Sequence, residues 1–187
     1  MAQSFRDFSG VPVGDQPPNT TMRRNASSGD YVRRDHRGFA VLSNEYASNG
    51  AGAISYDELT SSGTTQIYSL NYALAGASGR NTRSALFGSD APDNEYGWRW
   101  IASNRALEVY VRDDGSFSAL AESNKSSVDY DEYVHVRFEV QPGSPNRIRA
   151  KQWSENDPEP STWDIDITDS SITASTGWIG HLGFSTE

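Results

Sequence analysis

The stretch Tyr133-Val134-His135-Val136-Arg137-Phe138-Glu139-Val140 alternates polar-tipped and apolar residues at a period of two. That period puts every second side chain on one face of a β-strand. Val134, Val136, Phe138 and Val140 then point into a core, while Tyr133, His135, Arg137 and Glu139 point the other way. Runs of the same kind, bounded by Gly, Pro, Asn, Asp or Ser, recur near 30–35, 38–43, 51–56, 65–74, 80–87, 95–102, 106–112, 116–122, 146–153, 162–168 and 177–184. About a dozen short strands with turn signals between them predict an all-β sandwich or barrel. Residues 1–29, rich in Pro and Ser/Gly, read as an irregular N-terminal arm of the same domain, with residues 30–187 forming its β-structure.

Turn lengths predict which strands face which residues, because a slip of one residue would move every side chain to the wrong face. A two-residue turn at Asn104-Arg105 sets Trp100 opposite Val109, Trp98 opposite Val111 and Ala102 opposite Leu107. A three-residue loop Asp113-Asp114-Gly115 then sets Val111 opposite Phe117, Val109 opposite Ala119 and Leu107 opposite Ala121, leaving Leu120 outward against Glu108. The turn at Pro142–Pro145 sets Val140 opposite Ile148 and Phe138 opposite Ala150. The loop 154–161 brings Ala150 to Ile165 and Ile148 to Ile167. On the outer side this register places Lys151 against Asp164 and Arg149 against Asp166, with Trp163 turned inward.

A length of 187 residues is about one domain, enough to bury roughly 70% of the unfolded surface. The chain carries 25 Asp+Glu against 16 Lys+Arg, a net charge of −9. That sign repels phosphate backbones, so nucleic acid is not an expected partner. No apolar run approaches the eighteen or so residues of a membrane span, and the N-terminus has no signal-peptide pattern, so neither membrane insertion nor a secretory leader is expected. Without cysteine there are no disulfides and no thiolate chemistry. Lys125 and Lys151 are the only lysines, a bias shared by GC-rich genomes and high-salt habitats.

Candidate chemistry is sparse. Asp164 and Asp166 lie on one strand face about 7 Å apart, a spacing that a glycoside hydrolase uses, but the cations across from them make a solvated ion-pair ladder the better reading. Asp129 and Asp131 fit a turn. Tyr96, Trp98 and Trp100 are assigned to the core rather than to a sugar platform. The outward set on the same meander, Arg99, Glu108, Tyr110 and Arg112, is a candidate contact surface, and His135 and Trp153 join it from the polar face of the later strands. His36, His135 and His181 have no metal-ligand or triad spacing. No catalytic residue is assigned and no cofactor is required, with structural calcium left open and no ligands named. Asn19, Asn25 and Asn124 begin glycosylation sequons at a frequency that chance explains.

YVHVRFEVQ followed by NRIRAKQWSENDPEPSTWDIDITDSSITASTGWIGHLGFS, with the earlier DFSGVPVGDQPP and YGWRW…LEVYVRDDGSF, resembles the laminin-G/concanavalin A-like jelly-roll domains of phage, archaeal-virus and microbial surface proteins. The shared parts are the strand Val134–Val140, a second strand ending in Trp153, the Pro158–Pro160 loop, the Trp163–Ile167 strand and Gly177-Trp178-Ile179-Gly180. There are two departures. Such domains commonly close with one more strand, so closure here is expected to use the N-terminal segment or a neighbouring subunit. The Glu-x-Asp-x-x-Glu motif of the laminarinase-like enzymes of this fold is absent, and fold alone does not import their activity.

The resemblance implies a single all-β domain, a two-sheet antiparallel β-sandwich of the concanavalin A-like jelly-roll kind, acting as a non-enzymatic virion structural protein, such as a capsid decoration, vertex turret or tail component. It would sit at the virion surface as a homo-oligomer among other virion proteins and touch host-surface glycan. The alternative is a secreted or cell-surface carbohydrate-binding module, and a degenerate laminarinase-like hydrolase comes third.

Overall fold

The computed structural model describes residues 12–13, 15, 18, 20–24, 31–36, 39–44, 51–72, 81–89, 92–101, 105–123 and 132–184. Every regular element among them is a strand: β1 (Thr20–Arg24), β2 (Tyr31–His36), β3 (Phe39–Asn44), β4 (Ala51–Ser62), β5 (Thr65–Tyr72), β6 (Asn81–Gly88), β7 (Glu95–Ile101), β8 (Ala106–Asp113), β9 (Ser116–Glu122), β10 (Tyr133–Gln141), β11 (Asn146–Ser154), β12 (Ile165–Asp169) and β13 (Thr176–Phe184). They form a seven-stranded sheet ordered β1-β4-β13-β6-β7-β8-β9, a four-stranded sheet ordered β12-β11-β10-β5, and the separate hairpin β2-β3. All pairings are antiparallel. Of the sandwich or barrel that the alternation allows, the chain forms the β-sandwich jelly roll that the resemblance implies.

The core lies between the two large sheets. Leu86, Tyr96, Trp98, Trp100, Leu107, Val109 and Val111 face it from one side, and Val134, Val136, Phe138, Val140, Ile148, Ala150 and Ile165 from the other. Trp98 is fully buried, and its neighbour Trp100 is 5% exposed, so the tryptophan stripe is interior. Each such side chain contributes roughly 1.5–3 kcal/mol by leaving water.

The β10–β11–β12 registers agree with the sequence: Val140 pairs Ile148, Phe138 pairs Ala150, Ala150 pairs Ile165 and Ile148 pairs Ile167. Two hairpins differ. Ile101 pairs Ala106, so the β7–β8 connection is the four-residue loop 102–105 and Trp98, not Trp100, sits opposite Val109. A two-residue turn at Asn104-Arg105 would need two left-handed residues without glycine, whereas the longer loop closes on Arg105 at φ 57°. The slip is by two, which preserves every face.

In the next hairpin Asp113 pairs Ser116, leaving Asp114 and Gly115 as a two-residue turn at φ 46° and 78°. Asp-Gly is a favoured pair for that turn. This slip is by one, so Phe117 moves to the outer face opposite Arg112. A register shift at Val109/Tyr110 then restores Ala121 opposite Val109, and Leu120 packs against the core instead of facing out beside Glu108.

The segment read as an irregular arm contributes β1, a sheet-edge strand paired with β4. TTMRR carries β-branched threonines, and pairing satisfies the backbone groups that face β4. β13 is interior, flanked by β4 and β6, so the closing strand is covered on both sides within the chain and β1 supplies the edge beyond β4.

Polar bonds fasten one end of the sandwich. Tyr96 Oη on β7 donates to Asp169 Oδ1 at the end of β12 over 2.8 Å. Asn146 Nδ2 at the start of β11 donates to Tyr96 Oη at 3.0 Å and to Ile172 O at 2.8 Å. Burial and the Asp169 bond push the Tyr96 phenol far above its usual range, so it remains a neutral donor. Removing the hydroxyl leaves Asn146 and Asp169 short of a partner, and Tyr96→Phe is expected to cost about 1–3 kcal/mol of unfolding free energy. Chemical denaturation measures it, and an unchanged midpoint would show that the cluster does not join the sheets.

Candidate functional site

The outer faces of the two sheets carry different chemistry. On the seven-stranded sheet the expected contact set is present but closed on itself. Arg99 Nη2 donates to Glu108 Oε2 at 3.0 Å, and its guanidinium lies 4.7 Å from the Phe117 ring centroid. Tyr110 is fully buried: Phe117 packs on it at 4.9 Å, and its hydroxyl donates to Glu95 Oε1 at 3.0 Å. Gly97 makes room, because a Cβ there would meet the Tyr110 ring at 2.3 Å. Arg112 donates to Gly115 O at 2.9 Å and lies 3.7 Å from Asp93. The one-residue slip of β9 drops Phe117 over Tyr110, so Tyr110 presents no ring to a partner.

The four-stranded sheet presents a platform. Alternation turns Gln66, Tyr68 and Leu70 of β5, His135, Arg137 and Glu139 of β10, and Arg147, Arg149, Lys151 and Trp153 of β11 away from the core. Tyr68 pairs in register with Arg137, and His135 with Trp153. Three rings pack together: Tyr68 on His135 with centroids 5.6 Å apart, His135 on Trp153 at 5.2 Å, and Tyr68 near Trp153 at 6.0 Å. Trp153 is only 6% exposed and forms the floor, whereas Tyr68 is 52% exposed and offers its ring to solvent.

Charged groups frame the rings. Arg137 lies 5.7 Å from the Tyr68 centroid, Lys151 lies 5.9 Å from Trp153 and 5.0 Å from Trp163, and Arg149 lies 4.7 Å from Trp163. Trp163, expected inward, is thus on the outer side: β12 starts only at Ile165, and the bond from Asp164 N to Ala150 O breaks the alternation before it. Glu159, on the loop after β11, takes hydrogen bonds from Arg137 Nη2 at 2.9 Å and pairs with Lys151 Nζ at 2.7 Å. Burial works to raise the Glu159 pKa, but the Lys151 and Arg137 interactions outweigh it and hold it below the usual range.

The aspartate pair splits. Asp166, in register with Arg149, is gripped instead by Arg147 through Nε at 2.8 Å and Nη2 at 2.6 Å, while Arg149 turns to Glu139. The Arg147 hydrogen bonds hold the Asp166 carboxyl below its usual range. A general acid needs the opposite shift. Asp164 accepts from Gln152 N at 2.9 Å, and Lys151, its expected partner, donates to Pro160 O at 2.7 Å.

Of the residues on this face, sequence reading named His135 and Trp153 as candidates and did not name Tyr68, Glu159, Gln66 or an outward Trp163. Tyr68 reaches His135 across 67 positions of chain, a separation no hairpin argument spans. Asp129, Asp131, Asn19, Asn25 and Asn124 lie outside the described residues; His36 and His181 fall on β2 and β13. Among the described residues no group of three or more acidic or histidine side chains gathers as metal ligands.

No protein-family model matches the chain, and no curated protein matches it by sequence. Among solved structures it is similar to the carbohydrate binding module CBM66 from Bacillus subtilis, with a TM-score of 0.63 and 17% identity over 92% of each chain. The likeness defines a shared β-sandwich.

Tyr68 Oη and His135 Nδ1 are 2.5 Å apart. Tyr68 donates when that nitrogen is unprotonated. Burial lowers the His135 pKa, with Glu155 and Glu159 pulling the other way. The neutral ring therefore stabilises the fold fully above the unfolded value of about 6.5. That stabilisation is lost as pH falls through the depressed folded value. An NMR titration of His135, assigned with His135→Gln, is expected to give a midpoint below that of a histidine peptide; a midpoint at or above it would contradict the dominance of burial over Glu155 and Glu159 at this ring.

Proposed function

We propose that this protein is a non-catalytic carbohydrate-binding module whose ligand lies on the outer face of the four-stranded sheet. The observation that carries the reading is the half-exposed Tyr68 ring, braced from behind by His135 and Trp153 and flanked by Arg137, Gln66 and Glu159. The electron-rich face of an aromatic ring accepts the C–H face of a sugar, and hydroxyls need the charged and amide groups that surround it. Bracing matters because a ring already held still loses little entropy on binding.

The similarity to a carbohydrate binding module supports this alternative over the virion part that the sequence put first, and an Asp166 held ionised by Arg147 suits an ion pair better than acid catalysis. The account expects an extracellular or cell-surface setting.

Affinity electrophoresis and calorimetry against a polysaccharide panel test it. Covering the exposed part of the Tyr68 ring is worth on the order of 1.5 kcal/mol, so Tyr68→Ala is expected to weaken binding about tenfold while the β-sheet circular dichroism spectrum is retained. Arg99→Ala, on the other sheet, is expected to leave binding intact. Binding that survives Tyr68→Ala, or a protein that binds no glycan and runs as a closed oligomer in gel filtration, would overturn the reading.

A further inference from the structure

The cations of the platform are not equally satisfied. Arg147 holds Asp166 with two nitrogens, and Arg149 holds the buried Glu139 in the same way. Arg137 and Lys151, by contrast, share the single carboxylate of Glu159. Arg137 touches it through Nη2 alone; its Nη1 has a 3.5 Å contact with Gln66, and its Nε–H has no hydrogen-bond acceptor. A guanidinium is built to receive a carboxylate with two parallel bonds, and this one, lying over the exposed Tyr68 ring, uses one.

Glu159 comes from a loop whose residues 155–159 are exposed. Its side chain is 36% exposed and its partner Arg137 32%. A pair as wet as this is weakly held, so exchanging Glu159 for another carboxylate costs little; the buried Nε of Arg137 takes no part in the exchange.

Resting on the carbohydrate-binding reading, the geometry points to a glycan bearing carboxylates, a uronic-acid polymer, as the ligand of this face. A sugar ring lies on Tyr68 and its carboxylate takes the place of Glu159 between Arg137 and Lys151. Glu159 then acts as a stand-in that keeps the two cations paired while the site is empty, and it competes with the ligand.

Calorimetry of the full chain with galacturonate, glucuronate, mannuronate and guluronate oligomers, each beside its neutral methyl ester, tests the assignment. At least one acid is expected to bind ten or more times tighter than its ester and to weaken as salt is raised. Glu159→Gln is expected to tighten that acid several-fold relative to its ester, and Arg137→Gln to lose most of the preference for acid over ester. Equal binding of acid and ester, or a preference untouched by Arg137→Gln, would overturn the uronic-acid assignment while leaving a glycan-binding face. Absence of binding to every acidic and neutral saccharide would overturn both.

Discussion

The structure depends on the two-residue alternation of β10 being locked in register with β5 and β11. One set of its side chains, Val134, Val136, Phe138 and Val140, is buried against the opposite sheet, and that burial fixes where His135, Arg137 and Glu139 must go. The backbone ladder holds the outer set at strand spacing, so the rings of Tyr68, His135 and Trp153 meet because their strands do. A one-residue slip would exchange platform for core, at a cost of several buried side chains. The outer face is set by the same strand ladders that set the interior beneath it.

The two outer faces show how the same residue types reach different ends. On the seven-stranded sheet, arginine, glutamate and tyrosine neutralise and cover one another beneath Phe117. On the four-stranded sheet the pairings are satisfied around Arg147 and Arg149 and become incomplete toward Tyr68, where one carboxylate serves two cations. That sharing, beside the half-exposed Tyr68 ring, is the feature on which the proposed ligand face rests.

Much of the fold was legible. The alternation of β10 and the turn after it predicted the β10–β11–β12 register residue by residue, because short loops leave few choices. The Asp-Gly pair after Asp113 was a stronger turn signal than the three-residue loop read from it, and that one-residue error concealed the cover that Phe117 places on Tyr110. The β1 strand was hidden by its Pro- and Ser-rich surroundings. The site was legible in part: His135 and Trp153 belong to neighbouring strands joined by a tight turn, whereas Tyr68 arrives through a pairing some seventy residues away and Glu159 through a loop whose path no periodicity describes. Salt-bridge partners also moved: register placed Arg149 beside Asp166 on β12, but Arg147 reached Asp166 diagonally and Arg149 paired with Glu139, directly opposite it on β10.

The central claim is that saccharide meets the chain on the β5–β10–β11 face and nowhere else among the described strands. Backbone amide shift mapping by NMR with a bound oligosaccharide tests it most directly. The account predicts perturbations gathered at Tyr68, His135, Arg137, Lys151 and Glu159, with β7, β8 and β9 silent; perturbations centred on Arg99, Arg112 and Phe117 would contradict it.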